Sequence, residues 1–113
     1  MSMDLPKKKC IPCEKKSTPP LAGQQLQDYL DEVHHWALSP DAKKIYREFK
    51  FKDFVQTMAF VDRVADVAEE EGHHPDIHIF YNKVTFELWT HAIGGLSEND
   101  FIMASKIDML YGG

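Results

Sequence analysis

The order of apolar patterns along this chain predicts an α+β domain: a four-stranded, mainly antiparallel sheet with three helices packed on one face. Two observations carry that expectation. Three stretches repeat apolar residues at helical spacing, and two stretches between them alternate apolar and polar residues around turn-forming residues. The order is therefore helix, hairpin, helix, hairpin, helix. A length of 113 residues suits one such domain with its own core.

Residues 1–20 hold five lysines together with Pro6, Pro12, Pro19 and Pro20, and read as an irregular N-terminal arm ahead of a domain spanning 21–113. Cys10 and Cys13 are the only cysteines. Zinc wants about four ligands and a redox Cys-x-x-Cys wants a strand before it, so two thiols in a tail are expected. The first helix covers 22–34, with Leu26, Tyr29, Leu30 and Val33 on one stripe. A hairpin follows over 36–51. Ser39-Pro40-Asp41-Ala42 supplies its turn, and Ile45, Arg47, Phe49 and Phe51 share one face of the return strand. Arg47 is out of place on that apolar face, which suggests a sheet edge.

The longest helix runs over 53–71, capped by Asp53 with Gln56 three residues on and stopped by Gly72. Its expected buried stripe is Phe54, Met58, Val61, Ala65 and Ala68, broadened by Val55, Val64 and Val67. Glu69, Glu70 and Glu71 stand at its C-terminal end, where the macrodipole is already negative, and that conflict wants a reason. In the second hairpin Asn82-Lys83 is the expected turn, so that Ile77 faces Leu88, Ile79 faces Phe86 and His78 faces Glu87. Ser97 caps the last helix with Asp100 at its third position, and Met103, Ala104, Ile107 and Leu110 are its expected buried residues. Phe80 and Trp89 fall on the other face of the sheet, an apolar surface that predicts self-association.

A net charge of −5 argues against nonspecific nucleic-acid binding, and no apolar run approaches the length of a membrane span. With no apolar core in the N-terminal stretch to form a signal peptide, the expected location is cytoplasmic. Chemistry concentrates in residues 69–100, which hold four of the six histidines. His73 and His74 follow a helix end and Pro75 directs the exit; His91 ends the last strand. Imidazoles at element ends can shuttle protons near neutral pH. Adjacent histidines suit one metal ion poorly and the helical His-x-x-x-His spacing is absent, so no metal and no cofactor are expected. His78 reads as a strand residue. Asp100 reads as a cap that could also orient His91.

The segments EEEGHHPDI, YNKVTFELWTHAIGGLSENDF and REFKFKDFVQTMAFVDRVADVAEE together resemble the pterin-4a-carbinolamine dehydratases, over residues 21–110. The resemblance implies dehydration of 4a-hydroxytetrahydropterin to the quinonoid dihydropterin, recycling the cofactor of aromatic amino-acid hydroxylases. It implies catalytic roles for His73, His74, His91 and Asp100, and pterin contacts from Trp36, Pro75, Thr90, Ala92 and Ile93 besides the three imidazoles. It also implies a homodimer or homotetramer with no direct nucleic-acid contact. A transcription-factor partner, the binding-module alternative, comes only by analogy with animal relatives. Gly72 and Ala92 depart from the family's pattern, since many members carry carboxylates at both positions.

Overall fold

Within the segment Lys83–Leu88, Val84, Phe86 and Leu88 are fully buried while the residues between them are only partly covered. That alternation marks a strand with one face on a core. A computed structural model describes residues 4–10 and 19–112 and makes this strand β4 of an antiparallel sheet in the order β1-β2-β4-β3. Its partners are β1 (Ala37–Leu38), β2 (Ile45–Lys50) and β3 (Asp76–Phe80). Helices α1 (Gly23–Glu32), α2 (Phe54–Glu71) and α3 (Glu98–Gly112) complete the α+β architecture, and the core lies between them and the sheet. Phe60 of α2 anchors it, with ring centroids 5.2 Å from Phe49, 5.1 Å from Phe51 and 5.9 Å from Phe86. Among the described residues no helix is long and apolar enough to cross a membrane.

Packing corrected several local expectations. The second hairpin turns at Tyr81-Asn82, with Phe80 opposite Lys83, so Ile77 faces Phe86, Ile79 faces Val84 and His78 faces Thr85. The register differs by two residues from that expected. Each side chain therefore keeps its face, because strand parity is preserved. Arg47 does lie near an edge: β1 pairs only with Ile45 and Tyr46, so Arg47 has a strand partner, Phe86, on one side alone. Its guanidinium lies over the Phe49 ring and binds Asp108 of α3 at 2.7 Å, which is how a cation occupies the core face.

The buried stripe of α2 is Thr57, Phe60, Val61, Val64 and Ala68, whereas Phe54, Val55 and Ala65 are exposed. Apolar residues cover more than half of this helix's circumference, so the rings around Phe60, not periodicity, choose the inward direction. On α3 every residue from Asn99 to Ser105 is buried, a wider contact than the expected stripe. Helices buried all round need covers on several sides. Here the sheet, α1, α2 and the arm provide them. The arm contributes a 3₁₀ turn, Leu5–Lys7, whose Leu5 is buried against α3. Cys13 and the lysines near it lie outside the described residues.

Candidate active site

Helix α2 stops at Gly72, whose φ of 67° is the left-handed conformation that glycine tolerates best. The His73 N–H returns to the Ala68 carbonyl at 3.2 Å, a Schellman-type closure that turns the chain sharply. The turn aims His73 at the first turn of α3, where its Nε2 lies 2.6 Å from Asp100 Oδ1. Asp100 is fully buried. Its Oδ2 accepts from the Thr90 hydroxyl at 2.8 Å and from the Ser97 N–H at 2.9 Å. The second contact is one half of the expected capping box. The Ser97 hydroxyl is used elsewhere, 2.7 Å from the Thr90 oxygen. Thr90 has one hydroxyl proton and directs it to Asp100, so Ser97 donates to Thr90.

This network defines protonation sites. With two donors on Oδ2, an ionised Asp100 accepts on both oxygens, and the His73 tautomer that pairs with it is the one with its proton on Nε2. Its Nδ1 is left for other work. Thr90 is fixed from the backbone side too, by a bridge to Gly95 with an N–H···O distance of 2.8 Å. Between those two residues the chain loops out as a 3₁₀ turn, His91–Ile93, closed by Gly94 with a φ of 65°.

His91 stands exposed on that turn, its ring stacked on Trp89 with centroids 3.8 Å apart and planes tilted by 33°. Trp89 is itself held: its N–H reaches Asp76 at 3.3 Å, and the Lys44 ammonium sits 5.4 Å from the ring centroid. His74 turns the opposite way from His73. Its side chain is 58% exposed and pairs with Glu69, one turn back on α2. The site is thus a largely buried His73–Asp100–Thr90–Ser97 chain with two accessible imidazoles, His74 and His91, next to it along the chain.

The model of a protein family described as pterin 4 alpha carbinolamine dehydratase matches residues 19–110. The chain belongs to that family. Its members are pterin dehydratases, enzymes of the lyase class. A putative pterin-4-alpha-carbinolamine dehydratase of Halorhodospira halophila is 46% identical, over 96% of this chain and 98% of that protein. The Arabidopsis thaliana protein named pterin-4-alpha-carbinolamine dehydratase 2, mitochondrial, is 49% identical over 95% of this chain, which spans 59% of the plant protein's length. Among solved structures, a transcriptional coactivator/pterin dehydratase from Brucella melitensis superposes with a TM-score of 0.78. It is 33% identical and covers 82% of this chain and 99% of its own. A pterin dehydratase-like protein identified as a RuBisCO assembly factor in the alpha-carboxysome superposes at 0.62, with 30% identity over 72% of this chain and 95% of its own.

The dehydratase fold links His73 and Thr90 through Asp100, with Pro75 following His74 and with Ala92 and Ile93 on the same turn as His91. It gives Asp100 to His73, not to His91 as its capping position had suggested. It keeps Trp36 apart: that residue is 5% exposed, packs on Phe49 and donates its N–H to Asp108 at 2.9 Å. Asp108 lies eight residues beyond Asp100 on α3, about 12 Å along the helix axis at 1.5 Å per residue. Burial lifts the Asp108 carboxyl above the usual carboxylate range, against the pull of Trp36 and Arg47.

His78 is exposed and reaches Glu87 at 3.3 Å, diagonally across the strands, a surface pair as expected although its direct partner is Thr85. Ser97 and Trp89 are neighbours of the imidazoles that sequence reasoning had not assigned. The signal for Glu69 was legible in the misplaced acidic run. It also answers the departure at Gly72: a glycine offers no carboxylate there, and Glu69 supplies one to His74 from the preceding turn.

Proposed function

We propose that this chain dehydrates 4a-hydroxytetrahydropterin to the quinonoid dihydropterin by imidazole acid–base catalysis, recycling the pterin cofactor of aromatic amino-acid hydroxylases. The observation that carries the reading is the 2.6 Å contact between His73 and a fully buried Asp100 whose other oxygen is saturated. A base or acid oriented in this way has a fixed tautomer and ring plane. In the reaction the C4a–O bond breaks as a proton reaches the departing hydroxyl. The C4a–N bond gains double-bond character as a ring nitrogen gives up a proton, and water leaves. His73 and His91 take the two proton transfers in this assignment, and His74 binds and polarises the pterin. Pro75, Thr90, Ala92 and Ile93 are the proposed contacts around it. No metal ion or second cofactor is needed for these steps.

The test is stopped-flow decay of chemically generated 4a-hydroxytetrahydropterin with and without the protein. Acceleration is expected, with a loss of about 10²-fold or more for His73→Ala and for His91→Ala, the usual span for such groups. His78→Ala is expected to turn over normally. No acceleration by the parent protein, or sensitivity to His78 with none to His91, would sink the assignment. The proposed compartment is the cytoplasm.

A second reading, as a protein-binding module, has its own observation. Strand β3 is a sheet edge with Ile77, Ile79 and Phe80 exposed and Tyr81 exposed just beyond, an unusual apolar surface for a lone domain. The names of the two structural neighbours, a coactivator and an assembly factor, lend that reading support. Self-association into a dimer or tetramer is the simplest use of the surface. A transcription-factor partner is the further one. Sedimentation showing a clean monomer at micromolar concentration would count against the first.

A further inference from the structure

The three glutamates that close α2 do different jobs. Glu69 reaches His74 at the surface. The Glu71 side chain is only 3% exposed, although a carboxylate at a helix C-terminus is opposed both by the macrodipole and by its own desolvation. A solvated acidic end would not bury it. Its Oε1 accepts the Cys10 N–H at 2.8 Å, and its Oε2 lies 3.8 Å from Lys106 Nζ on α3. Lys106 also donates to the Pro6 carbonyl at 2.8 Å. Two residues along the arm, Lys8 binds Glu98, the first residue of α3, at 2.8 Å, where the Tyr29 hydroxyl also donates at 3.0 Å. The Cys10 thiol stands 3.7 Å from the Asn99 carbonyl. Residues 6–10 therefore strap α3 at Glu98, Asn99 and Lys106 to the last turn of α2 at Glu71.

The position of the strap matters. Glu71 precedes His73 by two residues, with the left-handed Gly72 between them, and Glu98 and Asn99 directly precede Asp100. The last turn of a helix is where it frays, and a glycine hinge transmits that fraying to the residues beyond it. We infer that Glu71 is a positioning residue: with Lys106 and the arm it holds the end of α2 against α3 so that His73 stays in register with Asp100. The inference rests on the His73–Asp100 pair being part of the active site. A displacement of about 1 Å at such a pair can cost up to 10²-fold in rate, so a strap far from the substrate can be felt in turnover.

The experiment compares Glu71→Ala, Glu71→Gln and Lys106→Met in the full chain, each alone and combined with His73→Ala, and follows the His73 ring resonances by NMR. Glu71→Ala is expected to lower kcat about 10-fold with KM held within about twofold. Glu71→Gln, whose amide oxygen can still accept the Cys10 N–H, should recover most of that loss. In the His73→Ala background Glu71→Ala should cost less than about twofold, because nothing remains to be positioned. The His73 Nε2–H resonance should shift or broaden in Glu71→Ala while the methyl resonances of Val84 and Leu88 stay in place. An equal rate loss in both backgrounds, or an unmoved His73 resonance, overturns the inference. If Glu71→Ala does not fold, Lys106→Met, which leaves the Cys10 bond intact, carries the same comparison. A His73→Ala variant with full activity would refute the active-site reading instead, and the ring resonance would still report on the strap.

Discussion

Replacing Asp100 with Asn isolates orientation from charge at the centre of the site. The amide has one acceptor and one donor end. Ser97 N–H cannot reverse its polarity, so the amide oxygen must take the Oδ2 position, where Thr90 and Ser97 donate. The amide N–H₂ then faces His73 Nε2 across the 2.6 Å contact, and two donors cannot share it. His73 must move its proton to Nδ1, the opposite tautomer. With the proton on the wrong nitrogen, a loss of about 10²–10⁴ in kcat is expected, the range of a positioned acid–base group.

Stability should respond far less. Charge-assisted bonds are about twice as strong as neutral ones, so three of them lose about 1 kcal/mol each. Relief from burying a full charge returns about 2 kcal/mol of that. The net change of about 1 kcal/mol corresponds to about 4 °C in Tm for a domain of this size. The assays are stopped-flow turnover, thermal unfolding and ¹⁵N NMR of the His73 ring. An Asn variant that keeps its rate, or one whose Nε2 stays protonated, would refute the tautomer argument.

Trp36→Phe should leave KM within about twofold and lower stability by about 1–2 kcal/mol, because the indole N–H it removes is bonded to Asp108 in the core. Denaturant unfolding beside a KM measurement checks it, and a selective rise in KM would return Trp36 to the substrate. Gly95→Ala would set a Cβ 2.8 Å from Pro20 Cβ and 3.1 Å from its Cγ, so a loss of about 1–3 kcal/mol is expected by overpacking. The Lys8–Glu98–Tyr29 contact gives pH dependence at both extremes. The Lys8 hydrogen bond holds the Glu98 carboxyl below its usual 4.5, against the effect of burial, so its stabilisation is present above that value and is lost as pH falls through the folded pKa. Burial, with Glu98 beside it, pushes the Tyr29 hydroxyl up to about 12, so its stabilisation is complete below pH 10 and lost as pH rises towards 12. Unfolding curves of Glu98→Gln and Tyr29→Phe should be flatter in the acid and alkaline windows respectively.

Much of this protein was legible in the linear pattern. Alternation placed Val84, Phe86 and Leu88 on the core, Asp53 and Gly72 bounded the longest helix, and Ser97 with Asp100 marked the start of the last one. These are local properties: side-chain period, capping chemistry and the conformations open to glycine act within a few residues, so a sequence displays them directly. The residues proposed for the site, His73, His74, Pro75, Thr90 and His91, came instead from the family resemblance, whose motifs cluster in one stretch.

What the chain order did not decide was pairing across space. The hairpin could turn at either of two adjacent dipeptides, because a shift of two residues leaves every side chain on the same face; cross-strand packing chose Tyr81-Asn82. Helix α2 carried enough apolar residues for two overlapping stripes, and the rings gathered about Phe60 selected one. Asp100 could cap and orient, but only the approach of α2 to α3 gave its free oxygen to His73. The acidic run at the end of α2 looked like a fault because its partners, Cys10 and Lys106, are 61 and 35 residues away along the chain (71 − 10 and 106 − 71). Electrostatic contacts depend on distance in space, and that distance exists only once the chain has folded.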